Sequence, residues 1–363
     1  MWMRRFDNDV LPRLAPRRVP PNAASSSAGR THGAGHWGVA CRLSVIATVA
    51  SAILVVGSPW RVGAVQPLAR NASSGCRLAA NPGTSTQTID VGGVPRRYRV
   101  AVPSDATKQR PLPLLLNFHG ANSTDVGQAV YSQLEEKGQE RGFVVVTPNA
   151  GVPPIWDDPA TRARATSVEA SAANLAFTMA LIDHAKASLC IDIDRVYATG
   201  FSNGAGMAAY LGCKLSGQFA GIAPVAGVNL AAPCDHGKPM SVIAFHGTAD
   251  PLVAYGGGPG AVAGLPNWTL PSVETAVHAW AKRAQCQTKP TLRTIGTEVQ
   301  RIMYRGCRRG VSVVLYAVRG GGHTWPGTTF DLPMNGPTTH DVNAADLILD
   351  FFAHRPATKN AKS

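Results

Sequence analysis

Short runs of apolar residues alternate with longer amphipathic segments along the chain from residue 86 onward. Several of these runs are apolar almost without interruption, which is typical of strands buried on both faces of a parallel sheet. Seven strands are predicted, at 97–102, 112–118, 143–147, 195–199, 221–225, 241–245 and 311–318. Five helices are predicted, at 126–141, 171–188, 204–214, 272–283 and 341–353. The alternation predicts a single α/β domain in which helices flank a mostly parallel central sheet.

The first 64 residues follow a different pattern. Residues 1–42 are rich in Arg, Pro, Ser and Gly, and residues 43–56 are apolar apart from small hydroxyl residues. As a helix this apolar stretch would be roughly 21 Å long, shorter than a hydrocarbon core of about 30 Å. Small residues follow it at 62–64. The pattern predicts a cleavable export signal, with an uncleaved anchor as the alternative.

These patterns divide the chain into three parts. An export region covers residues 1–64, a globular domain covers 65–357, and a short tail covers 358–363. We expect no stable membrane insertion once the export signal is removed, and we expect the globular domain to be secreted or held in the cell envelope or periplasm.

Composition and charge exclude several classes of protein. The 363 residues are 45% hydrophobic and 16% charged, which excludes a disordered or fibrous chain. The net charge is +13, from 35 basic and 22 acidic residues. Beyond the N-terminal region the basic residues are mostly scattered singly, and the densest clusters are Arg96-Arg97 and Arg308-Arg309. This favours a solvated surface and no nucleic-acid partner.

The cysteines indicate an oxidising compartment. Six of the seven lie beyond residue 64, at wide spacing and without a CxxC pair, which fits disulfides better than a metal site. Six cysteines allow 15 connectivities, and the spacing alone does not choose among them. One arrangement closes two short loops and leaves the last pair to tether the N-terminal arm: Cys213-Cys234, Cys286-Cys307 and Cys76-Cys190. No metal, phosphate or dinucleotide motif is present, so no cofactor is expected.

A candidate nucleophile lies between a predicted strand and a predicted helix. Gly200, Ser202 and Gly204 form a G-x-S-x-G sequence directly after the strand 195–199. In that context the sequence is typical of a nucleophile elbow, a turn too tight for side chains at its flanking positions. Helix amides behind the serine favour developing negative charge. We therefore predict that Ser202 is a catalytic nucleophile.

A serine nucleophile needs a base, and the base needs a carboxylate to orient it. Asp250 follows the strand 241–245 and His323 follows the strand 311–318, in the chain order Ser, Asp, His that this type of site uses. Four rivals are less well placed, since none is both after a strand and in the right order: His246, His340, Asp235 and Asp331. Asp250 and His323 are the predicted acid and base.

The reaction also needs backbone amides that face the developing oxyanion. One is expected from Asn203, the residue after the nucleophile, and the other from Ala121, in the loop after the strand 112–118. Gly120 lets that loop approach the site closely. We interpret His119 in the same loop as a structural residue.

Five segments of the chain together resemble a known family. They are NFHG at 117–120, GFSNGAG at 200–206, PVAG at 224–227, HGTADPLVAYGGG at 246–258 and GGGHTWPG at 320–327. The set resembles the secreted esterases that include polyhydroxybutyrate depolymerases, feruloyl esterases and LpqC-type bacterial esterases, over roughly residues 75–355. The resemblance implies the α/β-hydrolase fold, a triad of Ser202, Asp250 and His323, and the disulfides Cys213-Cys234 and Cys286-Cys307.

The expected activity is a cofactor-free serine ester hydrolase. Short-chain or aromatic esters, such as feruloyl or acetyl groups on small molecules or polysaccharides, are favoured over a polyester granule, since no separate polymer-binding module follows the domain. A polyhydroxybutyrate depolymerase is the alternative within the class. An inactive carbohydrate- or surface-binding protein is the alternative outside it, and a peptidase is less favoured. Trp325, Trp156 and Trp268 are the candidate substrate-binding side chains.

Overall fold

The computed structural model describes residues 71–107, 110–157, 171–232, 234 and 237–354. The predictions for the export region, the C-terminal tail and Asp235 concern residues outside these ranges and stay predictions. Within the described residues, no helix is long and apolar enough to cross a membrane. The same residues contain no group of His, Cys, Asp and Glu side chains arranged to hold a metal ion.

Strands and helices alternate along the described chain. The strands are β1 Gly83–Val91, β2 Val94–Val102, β3 Leu112–Phe118, β4 Val144–Pro148, β5 Ile191–Phe201, β6 Gly221–Val225, β7 Ser241–Gly247, β8 Gly258–Pro259, β9 Thr269–Leu270, β10 Thr291–Ile295, β11 Val299–Tyr304 and β12 Val313–Val318. The helices are α1 Asp125–Ser132, α2 Leu134–Glu140, α3 Ala172–Ser188, α4 Asn203–Lys214, α5 Val273–Arg283 and α6 Ala344–Ala353. Every predicted strand and helix thus overlaps an element of the predicted type.

Ten of these strands form one sheet, in the order β1-β2-β4-β3-β5-β6-β7-β12-β11-β10. The central strands from β4 to β12 are parallel, and an antiparallel hairpin extends the sheet at each edge. Strands β3, β4, β6 and β7 are buried at every position, as their unbroken apolar sequences predict. The predicted α/β-hydrolase fold is confirmed.

Helices cover both faces of the sheet. Helices α3, α4 and α5 contribute to the apolar core on one face, and α1, α2 and α6 contribute to the core on the other. This two-sided covering leaves the carboxyl ends of the parallel strands as the place where connecting loops meet.

The predicted helix 126–141 is wrong in one respect, because the segment forms two helices. Gln133 lies between α1 and α2 with φ of 58°, in the left-handed region, and this ends α1. The break coincides with a polar network in which the Ser132 hydroxyl accepts hydrogen bonds from the Asn117 side chain and from the Leu134 N–H. Neither Gly nor Pro marks the position, so the apolar pattern runs through it.

Strands β1, β10 and β11 are not among the predicted strands; β1 and β10 are the two edges of the sheet, and β11 lies between β10 and β12. β1 is exposed at seven of its nine positions, and β10 is exposed at four of five. An edge strand has no second neighbour and little apolar burial, so its sequence lacks the apolar run that marks the buried strands. Its strand conformation is set by antiparallel pairing with a neighbour.

Three disulfides join the six described cysteines. They are Cys76–Cys190, Cys213–Cys234 and Cys286–Cys307. The first ties the segment before β1 to the start of β5, where the Ser73 hydroxyl also accepts a hydrogen bond from the Ile191 N–H. The predicted disulfides are confirmed, with the connectivity that closes two short loops.

Candidate active site

Ser202 lies in a strained turn between β5 and α4. Its φ is 54° and its ψ is −119°, a backbone conformation that residues other than glycine rarely adopt. Its N–H donates to the Val225 carbonyl at 2.9 Å, which holds the turn against the end of the neighbouring strand β6. The turn directs the serine out of the carboxyl edge of the sheet, as the elbow sequence predicts.

Two glycines allow this turn to pack against β3. A Cβ on Gly200 would lie 2.7 Å from the Phe118 carbonyl oxygen, and a Cβ on Gly204 would collide with the same oxygen. Real Cβ atoms do not approach backbone oxygens so closely. Both glycines are therefore required by the close contact between the elbow and the end of β3.

Asp250 and His323 are joined by a hydrogen bond. Nδ1 of His323 lies 2.8 Å from Oδ2 of Asp250, and both side chains are buried. Asp250 is on the loop after β7 and His323 on the loop after β12, which are adjacent parallel strands. The other carboxylate oxygen accepts hydrogen bonds from the N–H groups of Leu252 and Val253, each at 2.8 Å. The carboxylate is therefore held at both oxygens.

The environment of Asp250 keeps it ionised. Burial alone would raise the pKa of this carboxyl, but hydrogen bonds from His246 and His323 outweigh it and hold the pKa well below its ordinary range. An ionised carboxylate only accepts hydrogen bonds, so Nδ1 of His323 must carry its proton. In the neutral imidazole, Nε2 of His323 is then the nitrogen without a proton, which is the tautomer that a general base requires.

His246 is a second histidine in contact with the acid. Its Nε2 lies 2.9 Å from the Val253 carbonyl oxygen and 3.2 Å from Oδ2 of Asp250, which is the less well aligned acceptor. Because a carbonyl oxygen only accepts, Nε2 is the protonated nitrogen. The sequence interpretation of His246 as a buried residue at a strand end agrees with this position. It missed the contact with Asp250, which the four-residue spacing within the HGTAD segment would have suggested.

The His323 ring lies beside the elbow. Its centroid is 4.8 Å from that of Phe201, the residue before Ser202. The hydrogen bonds among the described residues include none between the Ser202 hydroxyl and His323. In free enzymes this contact is often loose and tightens when substrate binds. Ser202, Asp250 and His323 thus lie on loops at one end of the sheet, with the acid and the base already paired.

The two predicted oxyanion amides have no acceptor among the described residues. The neighbours of Ala121 are engaged, since the N–H groups of Asn122 and Ser123 donate to Pro154 and Gly120. The N–H groups of Ala121 and Asn203 make no hydrogen bond within the described part of the chain. A Cβ on Gly120 would lie 3.5 Å from Cβ of Ser202, so this loop passes directly beside the elbow.

Side chains around His119 brace the oxyanion loop. The His119 ring uses Nδ1 to contact the Gly120 carbonyl at 2.7 Å, and Nε2 accepts from the Ala150 N–H at 3.0 Å. Trp156 donates its indole N–H to the His119 carbonyl at 2.8 Å and its backbone N–H to the Asn203 side chain at 2.9 Å. One connected network therefore positions both predicted amides.

The three candidate tryptophans are not on the open surface of the site. Each is at most 1% exposed. Trp156 belongs to the network around His119, and Trp325 donates its backbone N–H to the Tyr131 hydroxyl. Trp268 lies in a separate small cluster with Leu230, Val253, Ala261 and Leu270. Trp156 and Trp325 are thus buried within loops of the site and Trp268 lies apart from them, and the substrate contact of all three stays a prediction.

Two strongly exposed apolar side chains lie on the segment 328–336. Phe330 is 57% exposed and Met334 is 86% exposed. The segment lies against the catalytic loop, because the Asn335 carbonyl accepts from the His323 N–H. Among the rival residues, His340 and Asp331 are exposed and form no part of this arrangement.

A ten-stranded, largely parallel sheet with helices on both faces and this set of loops at its carboxyl edge defines an α/β-hydrolase. Residues 97–277 match the family described as "Esterase PHB depolymerase", a range that includes Ser202 and Asp250 and ends before His323. The chain belongs to that family.

Curated relatives agree with the family. The chain is 30% identical over 298 residues to a putative esterase, NocK, of Nocardia uniformis, and the match covers 76% of this chain and 84% of that protein. It is also 30% identical over 237 residues to feruloyl esterase B of Piromyces equi, covering 63% of this chain. It spans only 42% of the length of that esterase.

A solved structure shows the same fold. The acetyl xylan esterase of Aspergillus awamori superposes with a TM-score of 0.51 at 15% sequence identity. The superposition covers 74% of this chain and 99% of that one. At this identity the likeness concerns the fold alone.

Proposed function

We propose that this chain hydrolyses carboxylic esters through an acyl-enzyme on Ser202. The Ser202 hydroxyl attacks the ester carbonyl carbon while Nε2 of His323 takes its proton, and the protonated histidine then donates that proton to the departing alcohol. Water attacks the acyl-enzyme in a second step, with the same histidine as base, and the acid leaves. The observation that carries the proposal is the buried His323–Asp250 hydrogen bond of 2.8 Å beside the strained elbow.

The amides of Asn203 and Ala121 are the proposed oxyanion donors. The tetrahedral intermediates of both steps place negative charge on the former carbonyl oxygen, and each well-aligned amide is worth on the order of 3 kcal/mol in the transition state. The hydrogen bonds of His119 and Trp156 support this assignment, because they hold the two backbone segments in place before substrate arrives.

A fluorophosphonate probe tests the proposed nucleophile. We expect the full chain to be labelled once, at Ser202, as identified by peptide mass spectrometry, and the Ser202→Ala variant to remain unlabelled. Ser188→Ala, at the end of α3, is the matched control and should be labelled like the parent. Absence of labelling in a folded parent protein would favour the inactive binding protein on the same fold.

We propose short-chain or aromatic esters as substrates, including feruloyl or acetyl groups attached to polysaccharides. The name of a similar protein, feruloyl esterase B, supports this class. The experiment compares kcat/KM for methyl ferulate, acetylated xylan and hydroxybutyrate oligomers. Preference for either of the first two supports the proposal.

A polyester is the second candidate substrate. The exposed side chains of Phe330 and Met334, on the segment that contacts the His323 loop, favour contact with an apolar chain. The family description also includes depolymerases of this kind. Under this alternative, kcat/KM is highest for hydroxybutyrate oligomers, and replacing Phe330 and Met334 with Ser lowers it for oligomers more than for methyl ferulate.

We also propose that the protein is exported. Three disulfides support this proposal, since such bonds persist in oxidising compartments, and the signal-like sequence of residues 1–64 agrees. Fractionation of cells that produce the full chain, followed by intact-mass measurement, tests it. Export predicts a protein outside the cytoplasm with all three bonds formed.

A further inference from the structure

Beyond the N-terminal 64 residues, the net positive charge of this protein is concentrated in one stretch of the chain. Residues 282–319 contain nine basic residues and one acidic residue, Glu298. Outside this stretch and the N-terminal 64 residues, the chain has 18 basic and 19 acidic residues. We call the nine the basic edge: Lys282, Arg283, Lys289, Arg293, Arg301, Arg305, Arg308, Arg309 and Arg319. Because these residues are widely spaced in the sequence, they look like singly scattered charges there.

The fold gathers these residues at one margin of the sheet. They lie at the end of α5, on the antiparallel hairpin of β10 and β11, and in the segments that flank it. Seven of the nine are exposed, and only Arg283 and Arg301 are partly buried. The basic edge is therefore a mostly exposed set of side chains around the outermost hairpin.

None of the nine forms an ion pair with a described acidic residue. The opposite flank of the molecule differs, because there Arg99 pairs with Glu135, Lys137 pairs with Asp346, and Arg141 pairs with both Asp346 and Asp350. The charge of the basic edge is consequently not neutralised within the described protein.

Two of the arginines are held directly opposite each other. Arg293 on β10 is the cross-strand partner of Arg301 on β11, and the next position across the sheet is Tyr316 on β12. Like charges at opposed positions destabilise a sheet. Nε of Arg301 is buried and has no hydrogen-bond partner among the described residues. This arrangement costs stability within the protein, and an anion bound across the two guanidinium groups would remove that cost.

The basic edge extends toward the candidate active site. β11 is antiparallel to β12, so Tyr304 lies opposite Val313 and Val299 lies opposite Val318, at the end from which the His323 loop leaves. Charges flank the whole strand, from Arg305 and Arg308 at one end to Arg319 at the other. Six strand residues span about 20 Å, and β10 is two strands, about 10 Å, from β12. A row of this length fits a linear polyanion better than a small anion.

We propose that the basic edge binds a polysaccharide that carries carboxylate groups and holds its ester substituents near Ser202. The polysaccharide part of this inference rests on the proposed function. Guanidinium groups bind carboxylates through paired, charge-assisted hydrogen bonds, and an exposed row of them binds without a preformed pocket. Since the charges are exposed, salt screens the interaction.

The surroundings of the basic edge favour a polysaccharide over two other polyanions. Single-stranded nucleic acid is usually held by exposed aromatic rings on which bases stack, whereas Tyr304 and Tyr316 beside these arginines are buried. Binding to an anionic membrane surface is strengthened by a broad apolar face. On the β10–β11 hairpin, Leu292 is the large apolar side chain that is strongly exposed among the described residues.

Binding to polygalacturonate, measured in the full chain carrying Ser202→Ala, tests the proposal. The edge variant replaces Arg293, Arg305 and Arg308 with Gln, and no hydrogen bond or ion pair of these three side chains is lost among the described residues. The matched control replaces Arg77, Lys186 and Lys214 with Gln, and so removes the same charge elsewhere.

We expect the edge variant to bind polygalacturonate about tenfold more weakly than the parent, and the control to bind within a factor of two. Binding of the parent should weaken as salt rises from 50 to 500 mM (about 14 to 4 Å of screening length). Equal loss in the two variants would show that only net charge matters and would overturn the proposal. No detectable binding by the parent, or tighter binding to anionic vesicles or to DNA at the same salt, would also overturn it.

A second measurement separates this inference from the proposed function. The ratio of kcat/KM for an acetylated, uronic acid-containing xylan to that for methyl ferulate should fall about tenfold in the edge variant with Ser202 restored, and should stay constant in the control. An unchanged ratio would overturn the substrate-holding role even if esterase activity is present. Failure of fluorophosphonate labelling would contradict the proposed function while leaving the binding measurement interpretable.

Discussion

The carboxyl end of the sheet and its β10–β11 margin differ in how their charges are paired and in whether their backbone is strained. At the carboxyl end, Asp250 receives four close contacts, His323 is held by its carboxylate, and Ser202 is kept at positive φ. At the margin the strands are regular, and Arg293 faces Arg301 with no acidic partner described.

The difference is the one that the two proposed roles would require. Bond-breaking chemistry needs atoms within a few tenths of an ångström of their productive positions, which a strained turn and internally paired charges can supply. Holding a flexible polymer needs charge density and little positional accuracy, so the proposed binding margin would need no fixed partners for its side chains. Each prediction below tests one side of this comparison, beginning with the largest expected effect.

Replacing the buried acid should damage catalysis far more than folding. For Asp250→Asn we expect kcat to fall on the order of 10⁴-fold, because Asn donates where Asp accepts and favours the wrong tautomer of His323. Steady-state kinetics on methyl ferulate measures this effect. Asp341→Asn, which removes an exposed carboxylate that caps the turn at Thr297 and Glu298, is the control and should change kcat less than twofold. A similar small change for Asp250→Asn would contradict its assignment.

Removing the backbone strain at Ser202 should make the Gly variant more stable than the Ala variant, while both variants lose activity. Both Ser202→Gly and Ser202→Ala remove the nucleophile, but only glycine adopts φ of 54° without cost, so we expect the Gly variant to be about 1 kcal/mol more stable than the Ala variant. Urea unfolding of the two variants measures the difference. At Ser188, in helix α3, the order should be reversed, with Ala more stable than Gly. The same order at both positions would contradict strain at the elbow.

The stability of the protein should depend on pH through His119. Burial lowers the pKa of His119, so the folded state keeps it neutral while the unfolded chain binds a proton below about pH 6.5. Its contribution to stability is therefore complete above that pH and is lost as pH falls toward the folded pKa, with a slope of up to about 1.4 kcal/mol per pH unit.

Denaturant unfolding between pH 5 and pH 8 measures that slope. The free energy of unfolding of His119→Gln should change less with pH over this range than that of the parent, whatever the absolute stability of the variant. Replacing the exposed His340 with Gln should leave the slope as it is. If the free energies of unfolding of His119→Gln and of the parent change equally with pH, the buried histidine is not the source of the acid sensitivity.

The smallest effect is expected at the margin. Arg293→Thr removes a like-charge pair across β10 and β11 and introduces a residue that suits a strand, so we expect stability to rise by about 0.2–1 kcal/mol at low salt. The gain should shrink at 0.5 M salt, which screens the repulsion. Thermal unfolding at two salt concentrations measures both. A loss of stability at low salt would show that the two arginines do not repel.

Much of the fold and of the candidate site could be predicted from local sequence. Strands β3 and β6 have the predicted bounds, because burial on both faces leaves an unbroken apolar run. Ser202, Asp250 and His323 are predicted as site residues because each follows a predicted strand. The contact of His246 with Asp250 is suggested in the sequence by their four-residue spacing alone, and whether it forms depends on how the loop at 248–253 turns back toward its strand.

The sequence also could not fix burial or breaks in regular structure. Trp156, Trp268 and Trp325 are predicted to bind substrate and are buried, because an indole ring packs equally well inside a protein and only the surrounding atoms decide its exposure. The break at Gln133 coincides with hydrogen bonds from Asn117 and Leu134 to the Ser132 hydroxyl. Asn117 lies on β3, so the local sequence around Gln133 does not contain this partner.

The sequence by itself determined the order of strands and helices, the elbow glycines and the three loops that carry the candidate triad. These features depend on the character of residues that are neighbours in the chain. Only the tertiary structure decided which cysteines pair, which histidines meet Asp250, and that nine separated cations share one margin of the sheet. Strand pairing brings together residues that are far apart in sequence, and its free energy sums over contacts that no single segment contains.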